Sequence, residues 1–331
     1  MEQFLNTVQI GQEKFDWNYK DGYVDVSMPN YVEKALKRLG YIPNVPQYSP
    51  HQHTPIKYGL KGIQQSTPSP DTSPLLTPKE TQWIQSVTGT FLYYARTIDS
   101  TLLPALNELA SQQAQPTQKT LKKAHQIMDY VATYPNTYIR YRASNIILNI
   151  DSDAAYLVAP KARSCVASYY QLTANPTKTL HPTINGAILV ECKTLQHVVS
   201  SAAEAETAAI FHNAQQAVPI CIILQALDHQ QPPTPVKTDN STAQGFIQDN
   251  IHMKKSKSWD MRYHWLRDRQ TQNQFQFYWK TSKDNYADYF TKHHATTHHR
   301  QFQNQYIHDK LNLLSQRIHQ LQTQQLHYFK K

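Results

Sequence analysis

The sequence predicts an α/β fold, a mixed sheet flanked by helices, preceded by a smaller α+β region. The first observation is the order of elements after Asn136: three strands, a helix, a strand, helices, a strand and a short helix. The second is the different pattern before that point, where helical stretches dominate. We therefore expect three parts: residues 1–140, residues 141–297 and a Gln-rich helical tail at 298–331.

The first part combines a hairpin with helices. Alternating residues surround Asp21-Gly22, which is a typical hairpin turn. Pro29 opens a helix and Gly40 closes it. A proline-rich linker, extended and partly mobile, should precede two further helical stretches. In chain order these elements are expected at residues 13–27, 30–40, 41–78, 79–113 and 117–133.

The second part supplies the strands of the mixed sheet. They are expected at residues 145–151, 164–173, 186–194, 235–239 and 275–281. Helices should begin at Ser201 and near residues 242, 258 and 284, and Pro219 should kink or break the first of them. In the tail, apolar side chains at helical spacing predict an amphipathic helix: Tyr306, Leu311, Leu314, Ile318 and Leu321.

The composition limits the possible classes of function but does not select one of them. A net charge of +9 and a pI of about 9.2 suggest a polyanionic partner, nucleic acid or a membrane surface. Three cysteines at unpatterned spacing indicate a reducing compartment. The longest apolar run, residues 217–227, is too short to span a bilayer, and the first residues show no signal peptide. We therefore expect an intracellular protein, cytoplasmic or nuclear, without a membrane partner.

The sequence SSAAEAETAAI, residues 200–210, places two carboxylates at the start of an alanine-rich helix. Ser201 and Glu204 have the spacing of a capping box, so Glu204 should reach back to the helix start. Glu206 points about 200° away from Glu204, toward an apolar face. Two interpretations stay open: a solvated Glu206 on an apolar helix, or a half-buried carboxylate held for chemistry.

Four acids fall where the predicted strand order brings them together. Asp151 ends the first strand of the second part, Glu206 lies one turn into its first helix, Asp239 ends the fourth strand and Asp288 lies in the last helix. These positions share the sheet edge where sites assemble. Clustered carboxylates repel one another unless cations hold them, and oxygen ligands suit Mg²⁺ or Mn²⁺. Because two such ions clamp a phosphodiester, the pattern predicts metal-dependent phosphodiester chemistry.

Residues 143–297 resemble the ribonuclease H domain of copia-type LTR retrotransposon Pol polyproteins. The motifs are DSDAAYLV, SSAAEAETAA, KTDNSTA, SKSWDMRYHWLRDR and NYADYFTKHH, in the family's order. Upstream, FLNTVQI, PNYVEKALKRLGY and SVTGTFLYYARTIDSTLLPALNELASQ resemble the end of the reverse transcriptase and its connection to ribonuclease H. The resemblance covers nearly all of residues 1–297, and the motifs are specific as a set, whereas each alone is weak.

The resemblance implies a ribonuclease H-like fold and hydrolysis of the RNA strand of RNA–DNA hybrids with two Mg²⁺ ions, for which Mn²⁺ can substitute. It places the catalytic, metal-binding acids at Asp151, Glu206, Asp239 and Asp288. Asp153 is the nearby alternative to Asp151, and we interpret it as a turn carboxylate outside the metal ligands. An upstream reverse transcriptase domain is the implied partner.

The sequence departs from the family's pattern in three respects. Ala154-Ala155-Tyr156 stands where the family usually has Trp-Ala-Gly. Residues 280–285 lack the mobile histidine of cellular ribonucleases H; His264 is an alternative, but a helix surface suits it better. The polymerase signature Tyr-x-Asp-Asp does not occur in the sequence. GYVDV at residues 22–26 has one Asp and fits the hairpin, so we expect no polymerase activity from this chain alone.

A basic segment with interleaved aromatic residues precedes the last strand. Its cations are expected to contact phosphates of a nucleic acid: Lys254, Lys255, Lys257, Arg262, Arg267 and Arg269. Tyr263 and Trp265 suit base stacking, but a core position is favoured. Four histidines lack an acid or cysteine that would complete a transition-metal site, so none is predicted: His293, His294, His298 and His299.

Three functions stay open at this point. The first is a ribonuclease H that cleaves the RNA of hybrids. The second is a non-catalytic nucleic-acid-binding or structural remnant of a decayed retroelement Pol, which the missing polymerase core favours and against which the retained acids argue. The third is a nuclease of other specificity, such as an integrase or resolvase, which shares the fold but not these motifs.

Overall fold

The computed structural model describes residues 6–53, 71–174, 184–248 and 260–309. The strands of these residues are β1 (Thr7–Ile10), β2 (Glu13–Asn18), β3 (Tyr23–Ser27), β4 (Thr137–Arg142), β5 (Ile147–Ala159), β6 (Arg163–Thr173), β7 (Ala187–Thr194), β8 (Thr234–Thr238), β9 (Phe275–Trp279) and β10 (His308–Asp309). The α-helices are α1 (Tyr31–Arg38), α2 (Pro78–Thr97), α3 (Leu103–Gln112), α4 (Gln118–Thr133), α5 (Ala202–Ala226), α6 (Ser241–Ile247), α7 (Asp260–Thr271) and α8 (Thr296–Tyr306). Short 3-10 turns span Ser100–Leu102, Ser282–Asp284 and Asp288–Thr291.

The first sheet is antiparallel, with the order β1-β2-β3-β4-β10. The predicted hairpin is confirmed as β2 and β3, and its turn contains Gly22 at φ +64°, a backbone conformation that favours glycine. Strands β1 and β4 were not predicted, because they are short and their apolar pattern is weak. Gly40, at φ +62°, follows α1 as expected.

The described part of the proline-rich linker is held against α4. The Tyr41 hydroxyl and the Asn44 N–H donate hydrogen bonds of 2.9 and 3.0 Å to the Asp129 carboxylate. The Gln47 N–H donates a 3.0 Å bond to the Thr133 hydroxyl. These hydrogen bonds hold residues 41–47 against α4, whereas residues 54–70 lie outside the described part, so the partial mobility of the linker stays a prediction.

The second sheet is mixed, with the order β7-β6-β5-β8-β9. Strands β7, β6 and β5 are antiparallel neighbours, whereas β8 and β9 run parallel to β5. The predicted strand order is confirmed, but β5 runs to Ala159 and does not end at Asp151 as expected. This extension decides which acids meet.

Helix α5 packs across one face of the mixed sheet. Its 25 residues continue through Pro219, so the predicted break there is wrong. The helix is long and apolar enough to cross a membrane by length and composition, which corrects the estimate from residues 217–227. Its buried residues Ile210 and Ala214 pack against Ile150 of β5, as in the core helix of a folded domain.

A second core lies between the opposite face of this sheet and helices α2–α4. Tyr169 of β6 and Phe290 stack there, with ring centroids 6.2 Å apart. Helix α8 buries Tyr306 in the same core, and β10 then pairs with β4 of the first sheet. Of the residues that predicted the tail helix, Tyr306 is the last residue of α8, and the others lie in residues 310–331, outside the described part, so that helix stays a prediction. The three-part division of the chain stays a prediction.

Candidate active site

Three aspartates meet at one edge of the mixed sheet, and we call them the acid cluster: Asp153, Asp239 and Asp288. One carboxylate oxygen from each lies within 4.8 Å of the others. Asp153 belongs to β5 and is buried, whereas Asp239 directly after β8 and Asp288 in a 3-10 turn are half-buried. Among the described residues, this is the group of acids, histidines or cysteines placed to share a metal ion.

The parallel register of β5 and β8 brings the first two aspartates together. Asp151 is paired with Lys237 across the two strands. Asp153 and Asp239 each stand two residues further along their strands. Because side chains in a strand alternate with a period of two, Asp153 shares the face of Asp151 but lies closer to the strand end. The length of β5 therefore delivers Asp153 to the site.

Asp151, which was predicted as a metal ligand, has a different partner. Its carboxylate forms an ion pair with the Lys237 ammonium, and both side chains are almost fully buried, at 1% and 4% exposure. The Lys237 ammonium also contacts the carbonyl of Asp284 and lies 4.9 Å from the ring centroid of Tyr286. The structure thus places Asp153 and not Asp151 with Asp239 and Asp288, which corrects the expected grouping.

Glu206 lies beside the acid cluster and is 5% exposed, so the interpretation as a solvated residue is wrong. Its Oε1 atom accepts a 3.3 Å hydrogen bond from the N–H of Ala154, the neighbour of Asp153. Its Oε2 atom is buried without a hydrogen-bond partner among the described residues. Glu204 has the predicted capping role: its N–H donates to the Ser201 hydroxyl at 3.1 Å, and its carboxylate accepts from the Ser200 N–H.

The segment that carries Asp288 is fixed by Asn285. The Asn285 amide donates a 3.0 Å hydrogen bond to the Ser152 carbonyl of β5 and accepts a 3.1 Å bond from the Ala287 N–H. Such local side-chain bonds compete with a helical ladder. The predicted α-helix at residues 284–292 is accordingly wrong, since that range contains a 3-10 turn at Asp288–Thr291 in place of an α-helix. The Thr291 hydroxyl ends this segment with a 2.7 Å hydrogen bond to Asp153 Oδ2.

Burial and mutual repulsion make these carboxylates difficult to ionise together. Burial, and then the charges of Asp288 and Asp239, raise the pKa of Asp153 to about 7. Burial and the charge of Asp288 also raise the pKa of Asp239. Burial, and then the charges of Asp153 and Asp239, hold the pKa of Glu206 well above its ordinary value. A cation among these acids would remove the repulsion.

The donor set fits a divalent metal. Carboxylate oxygens from three aspartates and the unpartnered Oε2 of Glu206 are the hard ligands that Mg²⁺ and Mn²⁺ take. One ammonium also reaches the site, because Lys292 Nζ lies 2.6 Å from Asp288 Oδ1.

Sequence reasoning missed the residues that support the acids: Lys237, Asn285, Thr291 and Lys292. A usable signal existed for Lys237. Lys237 lies two residues before Asp239, and Asp151 lies two residues before Asp153. Pairing the two strands so that Asp153 is beside Asp239 therefore places Lys237 beside Asp151. The other three lie in the segment around Asp288. This segment was predicted as a helix, and a helix there does not predict the contacts that these residues form.

The predicted phosphate contacts fall partly outside the described residues. Lys254, Lys255 and Lys257 lie there. Arg267 donates hydrogen bonds of 3.2 and 3.0 Å to the Phe246 carbonyl, and Arg269 donates one of 3.2 Å to Gln274. Arg262 lies 3.2 Å from a ring nitrogen of His197, in the segment before α5. The structure therefore uses Arg267 and Arg269 in contacts within the protein.

The aromatic residues of α7 are in the core, as favoured. Tyr263 is 7% exposed, and the Trp265 ring packs 5.3 Å from that of Phe211. His264 is exposed, as expected for a helix-surface histidine. Two of the four clustered histidines bind tyrosines: His299 lies 3.1 Å from the Tyr130 hydroxyl, and His294 lies 2.8 Å from the Tyr289 carbonyl.

The directions of the strands decide the fold. Three antiparallel strands, β7, β6 and β5, are continued on the far side of β5 by the parallel strands β8 and β9. Helices α5, α6 and α7 pack around one core on one face. The fold is ribonuclease H-like. In this ribonuclease H-like sheet the acid cluster lies where β8 ends, with Asp153 in the middle of β5.

No family model and no curated protein matches the chain. The N-terminal ribonuclease H domain of a Mycobacterium tuberculosis protein, fused to maltose-binding protein, is 12% identical over 48% of this chain and 97% of that one, with a TM-score of 0.32. The ribonuclease H1 called LC11, in complex with an RNA/DNA hybrid, is 10% identical over 43% and 92%, with a TM-score of 0.31. The foamy viral protease-reverse transcriptase in complex with double-stranded DNA is 11% identical over 84% of this chain and 45% of that one, with a TM-score of 0.43. At such values, activity and substrate have to be argued from this chain's own residues.

Proposed function

We propose that this chain is a ribonuclease H-type endonuclease of retroelement origin that hydrolyses the RNA strand of RNA–DNA hybrids with two Mg²⁺ ions, for which Mn²⁺ can substitute. The observation that carries the proposal is the meeting of the acid cluster with the buried Glu206, whose Oε2 atom has no hydrogen-bond partner among the described residues, at one end of the ribonuclease H-like sheet. The choice of a hybrid substrate and the copia-type origin rest on the motifs in residues 143–297, and the upstream reverse transcriptase partner rests on the motifs in residues 4–112. The three cysteines at unpatterned spacing support an intracellular site of action.

In this proposal the metal ligands are Asp153, Glu206, Asp239 and Asp288, so Asp153 takes the place first given to Asp151. Bound divalent ions would supply an activated water and stabilise the leaving oxygen of the phosphodiester. The chain's own groups hold the ligands in place: Thr291 fixes the Asp153 carboxylate, and the Ala154 N–H fixes one oxygen of Glu206. Asp151 is neutralised by Lys237 and stays outside the chemistry.

The substrate would be held through its phosphates. Of the predicted contacts, Arg262 lies near His197 before the helix that carries Glu206, which is a suitable place for a phosphate contact. Lys254, Lys255 and Lys257 precede α7 in sequence and complete the proposed basic surface. Such contacts make affinity fall as salt rises, without dependence on base sequence.

The decisive experiment compares two glutamates of one helix. Purified protein is incubated with Mg²⁺ and an RNA–DNA hybrid labelled on the RNA strand, beside duplex RNA and duplex DNA. Glu206→Gln should abolish cleavage because a metal ligand is lost. Glu204→Gln is the matched control, since it alters only the side-chain contact with Ser200 at the helix start and should keep most of the activity.

Other outcomes would assign a different function. Binding of the hybrid by the wild type without cleavage, unchanged in Glu206→Gln, would identify a non-catalytic nucleic-acid-binding remnant. Cleavage of duplex DNA in preference to the hybrid would identify a nuclease of the integrase or resolvase kind. Cleavage in which Glu206→Gln is as active as Glu204→Gln would remove the acids from the mechanism.

A further inference from the structure

The acid cluster has a cation of its own. Lys292 Nζ lies 2.6 Å from Asp288 Oδ1, four residues earlier in the chain. Because one carboxylate oxygen of Asp288 lies within 4.8 Å of those of Asp153 and Asp239, an ammonium bound to Asp288 is also near the other two acids. Among the ion pairs of the described residues, this is the one that involves a member of the acid cluster.

The Lys292 side chain is placed so that its ammonium can move away from Asp288. Its side chain is 41% exposed, so the ammonium has an open route to solvent. The backbone at Lys292 is extended and follows the 3-10 turn Asp288–Thr291, so its reach back to Asp288 is not imposed by a helix. Attraction to the clustered carboxylates therefore accounts for the contact.

We propose that the Lys292 ammonium is the counter-cation of the acid cluster in the metal-free protein and that it competes with divalent ions for the Asp288 carboxylate. Lys292 thereby sets the metal concentration at which the site is loaded. The inference rests on the proposed function, because it takes the acid cluster as the metal ligands. It assigns Lys292 a role in metal binding, not in contact with the reacting atoms.

Removing the competing charge should tighten metal binding. Without the ammonium, a divalent ion meets a more negative site, so Lys292→Gln should lower the Mn²⁺ dissociation constant on the order of tenfold. Lys292→Arg keeps the charge and should resemble the wild type. In the absence of metal, Lys292→Gln should unfold at a lower temperature than the wild type, because the carboxylates then lack their cation.

The chain offers a matched control in Lys193. Its ammonium lies 2.6 Å from Glu191 and its side chain is 42% exposed, nearly the same as for Lys292. Lys193→Gln removes an equivalent ion pair outside the acid cluster, so it should leave Mn²⁺ affinity unchanged. Asp239→Asn removes a proposed metal ligand, so the Mn²⁺ binding that this variant loses is the binding at the acid cluster.

The experiment is a Mn²⁺ titration of the full chain, read from the free-ion signal by electron paramagnetic resonance. Tighter binding in Lys292→Gln, with wild-type binding in Lys292→Arg and Lys193→Gln, supports the proposal. Equal affinity in Lys292→Gln and the wild type, or weaker affinity in the variant, overturns it while leaving the proposed function standing. Wild-type binding that is absent, or insensitive to Asp239→Asn, overturns both proposals.

Discussion

Lys237 and Asp151 form an ion pair across two parallel strands, and each stands two residues before a member of the acid cluster. The pair separates the two aspartates of DSDAAYLV into different roles. Asp151 is neutralised in the interior, although burial still raises its pKa to about 6. Asp153 has no ion pair with β8 among the described residues, so its carboxylate stays available to the proposed metal site. The pairing gives the earlier of the two aspartates a structural partner, Lys237.

The first prediction separates these two roles. Asp151→Asn should lower the free energy of unfolding by about 3–5 kcal/mol, because it leaves the buried Lys237 ammonium without its counter-charge. Asp153→Asn should keep or raise stability in metal-free buffer, since it relieves repulsion, but abolish hybrid cleavage. Urea unfolding and the cleavage assay measure both effects on the same preparations.

Two further variants test whether the cost comes from the pair itself. Asp151→Leu with Lys237→Met should recover much of the lost stability, because neither charge is then buried alone. Asp25→Asn breaks the more exposed pair with Arg140, whose side chains are about 20% exposed, and should cost less. Loss of cleavage in an Asp151→Asn protein that is fully folded would restore Asp151 as a metal ligand.

The second prediction concerns Thr291, which donates a 2.7 Å hydrogen bond to Asp153 Oδ2. Thr291→Val removes the hydroxyl but keeps the shape, so it should cost about 1 kcal/mol of stability. It should also reduce cleavage on the order of tenfold, because the Asp153 carboxylate loses the bond that orients it. Thr291→Ser keeps a donor and should retain most of the activity. Equal activity in the valine and serine variants would show that orientation through Thr291 is unimportant.

Local patterns in the sequence were sufficient to predict most of the framework. The strand order of the mixed sheet, the hairpin around Gly22 and the cap formed by Ser201 and Glu204 follow from alternation, turn residues and capping spacing. Each of these is decided by neighbours in sequence. The cap places Glu206 near the start of α5, and the strand order places Asp239 directly after β8, as in the structure.

The exchange of Asp153 for Asp151 was not predictable in this way. It depends on the register between β5 and β8 and on a strand that continues past Asp151, both of which are set by tertiary pairing. The 3-10 turn of Asp288 likewise depends on Asn285, whose amide bonds to Ser152 on a distant strand. Contacts between residues that lie 86 and 133 positions apart leave no periodic signal in one sequence.

The third prediction is that divalent metal stabilises the folded chain. Mg²⁺ at about 100 times its dissociation constant should add about 2.7 kcal/mol to the free energy of unfolding, since it binds the folded site alone. EDTA should reverse the gain. Asp239→Asn should show no gain, whereas Glu204→Gln should gain as much as the wild type. Urea unfolding with Mg²⁺ and with EDTA gives the comparison, and a gain of equal size in Asp239→Asn would exclude the acid cluster as the binding site.

The histidines near α8 form a buried group that must stay neutral. His51, which sequence reasoning did not single out, is 5% exposed, and its ring centroid lies 6.1 Å from that of His299. Burial, and then the neighbouring histidines, lower the pKa of His51 well below its usual value and that of His299 to about 3. Burial lowers the pKa of His294 to about 4. Because their folded pKa values are depressed, these groups contribute stability above pH 6.5 that is lost as the pH falls toward 4.

The last prediction isolates His299 from the other titrating groups. The raised pKa values of Asp151 and Asp153 act in the opposite direction, since those groups lose stability as the pH rises from about 4 to 7. They contribute equally to the wild type and to His299→Gln, so the difference between the two proteins reports the histidine. Between pH 7.5 and pH 5, the wild type should lose about 2 kcal/mol more of its free energy of unfolding than His299→Gln loses. The reason is that His299 takes up a proton at pH 5 in the unfolded chain but stays neutral in the folded chain. Urea unfolding of both proteins at both pH values measures this difference. A difference that is independent of pH would mean that His299 is protonated in place, with Tyr130 and Tyr289 as its hydrogen-bond acceptors.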